Sequence, residues 1–264
     1  WEMQGVFHKK LRKQRKTAED GGALQRRTYG CEFAESLRFR RCKNREVAEE
    51  AARDAAQTGD EYVKLVAEGT RYMAKEDYRK AAKVNREAIA LKPDEPAAYY
   101  NLGNALSISG HLVEAAQRYL EAKERCPVGS ELWAIATAAA FVKLNLEECD
   151  EVAKPEWWND EELKVLSAKV MRAAHNHRAA HCMRAEVLGI CDSWVAGPRS
   201  AAELQKAAEH FDRAATLCNP SELRDNLVGY ADWCRSQPII GQALMRCTRA
   251  LVYYTGVLHL IGWG

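Results

Sequence analysis

Only seven prolines interrupt the 264 residues, and few stretches alternate apolar with polar side chains. The second lack removes the half-buried strand pattern and with it most β architectures. No two of the nine cysteines (31, 42, 126, 149, 182, 191, 218, 234 and 247) are spaced C-x-x-C, and their number is odd. Several lie inside apolar helical patterns, which points to reduced cysteines acting as small core hydrophobes in an intracellular protein, not to a disulfide framework. There is no G-x-G-x-x-G, no phosphate loop around Gly21-Gly22, no H-E-x-x-H and no G-x-S-x-G, so the common nucleotide, zinc-protease and hydrolase signatures are missing. The N-terminus is charged and lacks the apolar run of a secretory signal. A start at Trp1 instead of Met fits a fragment.

What is present is helix-forming. Ala, Leu, Glu, Lys and Arg are plentiful, and 47% hydrophobic with 29% charged residues is the balance of a globular chain. The fold class read from this is all-α. The net charge of +2 hides an asymmetry: residues 1–45 hold 13 Lys/Arg against 5 Asp/Glu, leaving 26 against 32 in the rest. Residues 1–44 therefore read as a basic, unfolded arm, with the run Lys9-Lys10-Leu11-Arg12-Lys13 and the break Gly21-Gly22. Such an arm could meet nucleic acid or an anionic surface by screened attraction, although Phe7, Tyr29, Phe33 and Phe39 are too scattered for a stacking platform.

The body of the chain is expected over residues 45–236. A polar helix from Arg45 to about Gln57 precedes the informative stretch, Tyr62 to Pro127. Placing Pro93 over Pro127 sets an offset of 34, and Gly69 then meets Gly103, Ala81 meets Ala115, and Ala88 meets Ala122. A fixed offset of that length marks a helical repeat. The second copy, 96–129, supplies Tyr99, Leu102-Gly103, Ala115, Tyr119, Ala122 and Pro127; the first, 62–95, supplies Leu65, Gly69, Tyr72, Ala81, Ala88 and Pro93. The small residues suit a close crossing of two antiparallel helices, and the tyrosines fill the wider gaps. Each proline stops the second helix.

These residues resemble the tetratricopeptide repeat family, with departures at Glu68, where Leu is usual, at Asn85, where an aromatic is usual, and at Leu106, where Tyr is usual. The resemblance implies antiparallel helix pairs stacked as a short right-handed solenoid, degenerate over 130–236. It also implies a non-catalytic adaptor or scaffold that binds a peptide or helix of another protein in a concave groove. Carried over position by position, the groove residues are Val63, Val66, Thr70, Met73 and Ala74, then Ala97, Tyr100, Asn101, Asn104, Ser107 and Ile108. Family members that grip acidic chaperone C-termini use a clamp of Lys and Asn, then Asn, then Lys and Arg. Here the corresponding residues are Val66 and Thr70, then Asn101, then Glu131 and Ile135, so only the middle member is kept and an apolar ligand is favoured.

Beyond Glu131-Leu132-Trp133, which opens a third unit, the pattern decays to a break at Lys154-Pro155-Glu156-Trp157-Trp158-Asn159. The two tryptophans are expected to cap a core from that loop. Asp160 reads as the N-cap of one long helix, Glu161 to about Ile190, with the stripe Leu163, Leu166, Val170, Ala173, Ala180, Met183, Val187 and Ile190. Ser200-Ala201-Ala202-Glu203 fits a capping box. Ala207, Phe211, Ala214 and Pro220 resemble a second repeat helix, and about 221–234 a capping helix.

His177 and His181, four apart, share a helix face in this reading and are the one metal-like pair. Arg178, Ala179 and Ala180 between them offer no general base, so no metal and no cofactor are assigned. Residues 237–264 form an apolar C-terminal segment. Its 15-residue core from Ala250 to Gly264 would span about 22 Å as a helix, short of a bilayer's roughly 30 Å. Two further readings follow: a receptor tethered to an organelle membrane by this segment, and RNA binding through the arm. A cytoplasmic location is expected, and neither partner nor oligomeric state is legible.

Overall fold

A computed structural model describes residues 41–189, 199–218 and 224–237, and every regular element among them is a helix. The described chain divides into two compact units, the first reaching Pro155 and including 172–175, the second built from 156–171 and 176 onward. Residues 1–40 of the expected arm, the linkers 190–198 and 219–223, residues 238–264 of the C-terminal segment, and the readings placed on them lie outside the described residues, whereas 41–44, expected in the unfolded arm, begin the first described helix and Gln237 ends the last.

The first unit is a run of antiparallel pairs. α1 (Arg41–Gln57) packs on α2 (Glu61–Ala74), which pairs with α3 (Tyr78–Leu91); α4 (Pro96–Ile108) pairs with α5 (Leu112–Arg125), and α6 (Glu131–Leu144) packs on α5. Local chemistry sets the ends. Asp60 accepts from the Tyr62 amide to cap α2, Asp77 from Lys80 to cap α3, and Ser130 from Trp133 to cap α6. Pro96 begins α4, where its missing N–H costs nothing.

The turns inside the two pairs superpose in detail. The Asp77 amide donates to the Tyr72 carbonyl at 3.0 Å, and the His111 amide to Leu106 at 2.9 Å, the same turn 34 residues later. The left-handed residue that this turn demands is Gly110 (φ 82°) in the second copy and Glu76 (φ 66°) in the first. The core between the copies gathers Ala81, Ala82, Leu102, Ala105, Leu106, Ala115 and Tyr119, with Ala139 and Ala140 of α6 added. After α6 a single turn of 3₁₀ helix (Glu147–Cys149) follows, and the Lys154 ammonium donates to the carbonyls of Leu144 (2.5 Å) and Cys149 (2.9 Å), capping that end with charge.

In the second unit the structure corrects the sequence reading twice. The single long helix is two: α7 (Asp160–Ala173) and α8 (Arg178–Gly189), separated by a turn at 174–177. The turn contains neither Gly nor Pro, so the apolar stripe runs through it unbroken; His177 serves as the new cap, its Nδ1 accepting from the Ala179 amide at 3.3 Å. The cap of α7 is Asn159, whose side chain accepts from the Glu162 amide at 3.0 Å, and not Asp160. Asp160 instead turns inward, to Arg199 Nη1 at 2.6 Å and Lys164 Nζ at 3.1 Å.

α9 (Ala201–Thr216) starts on the expected Ser200–Glu203 capping box and packs on α8; residues 224–237 form α10. Glu203 also takes Lys164 Nζ at 2.8 Å. That ion pair and the Ser200 backbone and hydroxyl donors outweigh its burial and pull its carboxyl down to about 2. Burial alone would raise the Asp160 carboxyl, but the hydrogen bonds from Arg199 and Lys164 leave it below the usual carboxylate range.

Candidate functional site

Where two antiparallel helices of a pair cross, the interhelical gap is set by a glycine. A Cβ placed on Gly103 would stand 2.7 Å from the Tyr119 ring, and one on Gly69 2.5 Å from the Asn85 amide. The crossings let α2 and α4 lie side by side, so their outward residues form one face.

On this face Thr70 and Val63 are exposed, while Val66, Met73, Ala74, Ala97, Tyr100, Asn101, Asn104 and Ile108 are half-buried. Met73 and Tyr100 rest against the interrepeat core, and Val66 against Tyr62, Ala88 and Ala98. Ser107 is buried, at 4% exposure, and stands behind the face instead of on it. The Thr70 hydroxyl donates to the Val66 carbonyl at 3.1 Å, within its own helix. The face is largely apolar with one amide pair, Asn101 and Asn104.

Tyr119, absent from the groove residues read from sequence, organises the middle of the face. Its hydroxyl donates to Asn104 Oδ1 at 2.8 Å, and its ring lies 5.7 Å from that of Tyr100, tilted by 50°. Complete burial, with the Tyr100 ring second, pushes the Tyr119 phenol well above its ordinary value, so it stays a donor at any physiological pH. That bond fixes which end of the Asn104 amide meets Tyr119, its oxygen, and leaves the NH₂ out of this contact. The signal for this residue lies in the repeat pattern, whose aromatic position Tyr119 fills one helix behind the α2–α4 face.

The face ends at the third repeat. At the positions of α6 equivalent to groove residues, Ala134, Ala138, Phe141 and Val142 are buried. Of the clamp positions there, Glu131 is exposed and Ile135 half-buried. No cation stands at Val66, Thr70, Glu131 or Ile135, so a carboxylate ligand would find none of the basic members of that clamp.

The other chemical candidates resolve differently. His177 caps α8 while His181 Nδ1 faces His210 Nδ1 at 3.1 Å, so the sequence-adjacent histidines do not converge. Among the described residues no group of three His, Cys, Asp or Glu could hold a metal ion. Cys126, Cys149, Cys182, Cys218 and Cys234 are buried free thiols. Burial pushes Cys182 up to about 12 and Cys234 to about 11, which leaves both as thiols near neutral pH, poor nucleophiles. Trp157 and Trp158 are half-buried with rings 5.7 Å apart. Among the described residues no helix is long and apolar enough to cross a membrane.

Antiparallel pairs crossing at a small residue, repeated at an offset of 34, define a helical-repeat protein. The family model described as TPR repeat matches residues 69–110, and this stretch is tetratricopeptide repeat. No curated protein matches the chain.

The second unit repeats the crossing by geometry. A Cβ on Gly189 would meet Ala207 Cβ and Cys234 Sγ, each at 2.9 Å, with Phe211 at 3.9 Å. Gly189 thus lets α8 close on α9 as Gly103 lets α4 close on α5, with Ala207 and Cys234 nearest in the gap where Tyr119 stands in the first unit.

Proposed function

We propose that the chain is a non-catalytic adaptor that binds a peptide or helical segment of another protein on the α2–α4 face. Tetratricopeptide repeats act generally in protein–protein interaction, and residues 69–110 are such a stretch. The observation that carries the reading to this face is the half-buried Tyr100 beside an oriented Asn104 amide. An aromatic anchor on a rigid scaffold next to a fixed donor suits a mainly apolar segment that also presents a backbone carbonyl. Val63, Val66, Thr70, Met73, Ala97, Asn101 and Ile108 supply the surrounding contact area.

Asn104→Ala is a poor probe, because it strands the buried Tyr119 hydroxyl and mixes folding with binding. Thr70→Arg and Tyr100→Ala are better, Thr70 being exposed. Peptides selected by phage display against the full chain would be titrated by fluorescence anisotropy. Each substitution is expected to weaken a groove-bound peptide by about tenfold or more with helicity unchanged. Selected peptides whose Kd ignores both substitutions would end this reading.

A further inference from the structure

We propose that the His181–His210 contact is an acid-operated latch between α8 and α9. This goes beyond the adaptor reading and does not depend on it. The two Nδ1 atoms are 3.1 Å apart and the rings 5.3 Å apart, tilted by 47°. At that distance one nitrogen donates and the other accepts, so only one of the facing positions holds a hydrogen. A proton added to the accepting nitrogen sets two N–H donors face to face, and protonation of both rings places two positive charges a few ångströms apart. His181 is buried, at 6% exposure, and cannot turn its ring into water while α8 and α9 stay together.

The surrounding charges reinforce the penalty. From α8, Arg184 faces the pair; its guanidinium is tied to α7, donating to the Lys164 carbonyl at 2.7 Å and Ser167 Oγ at 2.9 Å. From α9, Glu209 opposes it, but that carboxylate is exposed, so solvent screens it. Burial first, then His181 and Arg184, hold His210 down to about 4 against that carboxylate. A base whose folded value lies below its unfolded value binds more protons unfolded. Its contribution is therefore complete above about 6.5 and is lost as the pH falls toward about 4. The same two helices close on each other at Gly189, so parting the imidazoles loosens the Gly189–Ala207 crossing as well.

The test is amide hydrogen exchange of the full chain at pH 7.0 and pH 5.0, corrected for intrinsic exchange. Segments 178–189 and 201–216 are read against 96–125 as the internal reference. In the wild type, protection of the first two should fall by about tenfold between the two pH values while the reference holds. His210→Asn, which places an amide near the Nδ1 position without a titrating ring, should abolish the difference. Equal protection at both pH values in the wild type overturns the latch, and so does an undiminished loss in His210→Asn. Should that variant not fold at pH 7.0, the proton titration of the His210 ring in the wild type decides. A midpoint below about 5 upholds the latch, and one at or above that overturns it.

Discussion

Gly69 and Gly103 hold the same place in consecutive repeats, yet different residues lie over them. Gly103 is roofed by Tyr119, a fully buried ring that spans the crossing and bonds Asn104 on the α2–α4 face. Gly69 is roofed by Asn85, whose amide nitrogen donates to the Ala81 carbonyl at 2.8 Å while its Oδ1 stays buried without a hydrogen-bond partner. The turn between the helices is common to both repeats, and a side-chain bond from the crossing to the α2–α4 face is seen in the second. The repeat fold therefore depends on a small residue at the crossing, whereas the aromatic opposite it ties the second copy's crossing to its outer face.

Truncating the two roofs should separate them most clearly. Tyr119→Ala removes a large buried ring and opens a cavity beneath Tyr100, for an expected loss of about 3–5 kcal/mol. Asn85→Ala removes a side chain that already leaves one polar atom unsatisfied, and its cost should stay within about 1 kcal/mol. Urea unfolding of the two variants, with the slope unchanged, measures the gap. Comparable losses would mean that the two crossings are mechanically alike.

Next in size is the crossing itself. Gly103→Ala drives a methyl to within 2.7 Å of a fully buried ring, and overpacking of this kind costs about 2–3 kcal/mol. At Gly69 the obstacle is the end of an asparagine side chain, which can rotate away by giving up one hydrogen bond, so about 1 kcal/mol is expected. Thermal unfolding followed by circular dichroism checks the order; a larger drop for Gly69→Ala would place the tighter crossing in the first repeat.

The same hierarchy decides which features are legible in the amino-acid sequence and which are not. Small residues at fixed spacing stand out because sterics leave few alternatives, and so the pairs around Gly69 and Gly103 can be read directly. Leu188-Gly189 has the same chemistry, but Gly189 and Ala207 lie 18 residues apart where Gly69 and Ala81 lie 12 apart. An offset of 34 passes over it. The turn at 174–177 is hidden for a complementary reason, since a histidine cap interrupts a helix without disturbing apolar periodicity. On the α2–α4 face, the helix positions of Thr70, Tyr100 and Asn104 follow from the repeat register. The burial of Ser107 and the Tyr119–Asn104 bond cannot, because both depend on how the second helix leans on the first.

The smallest effect bears on the turn that joins the helices of each pair. Both copies close it with the same backbone hydrogen bond, and both put the preceding residue in the left-handed region, Glu76 at φ 66° and Gly110 at 82°. A side chain there brings Cβ against the neighbouring carbonyl, a strain of roughly 1 kcal/mol that glycine avoids. Glycine also loses more freedom on folding, which offsets part of the relief. Glu76→Gly should therefore stabilise the first repeat by about 0.5–1 kcal/mol, and Gly110→Glu should destabilise the second by a similar amount. The two swaps make a reciprocal test, since each converts one copy's turn into the other's. If Glu76→Gly lowers the melting temperature while Gly110→Glu leaves it unchanged, strain at the left-handed position does not distinguish the copies. The entropy of the unfolded chain would then govern this turn.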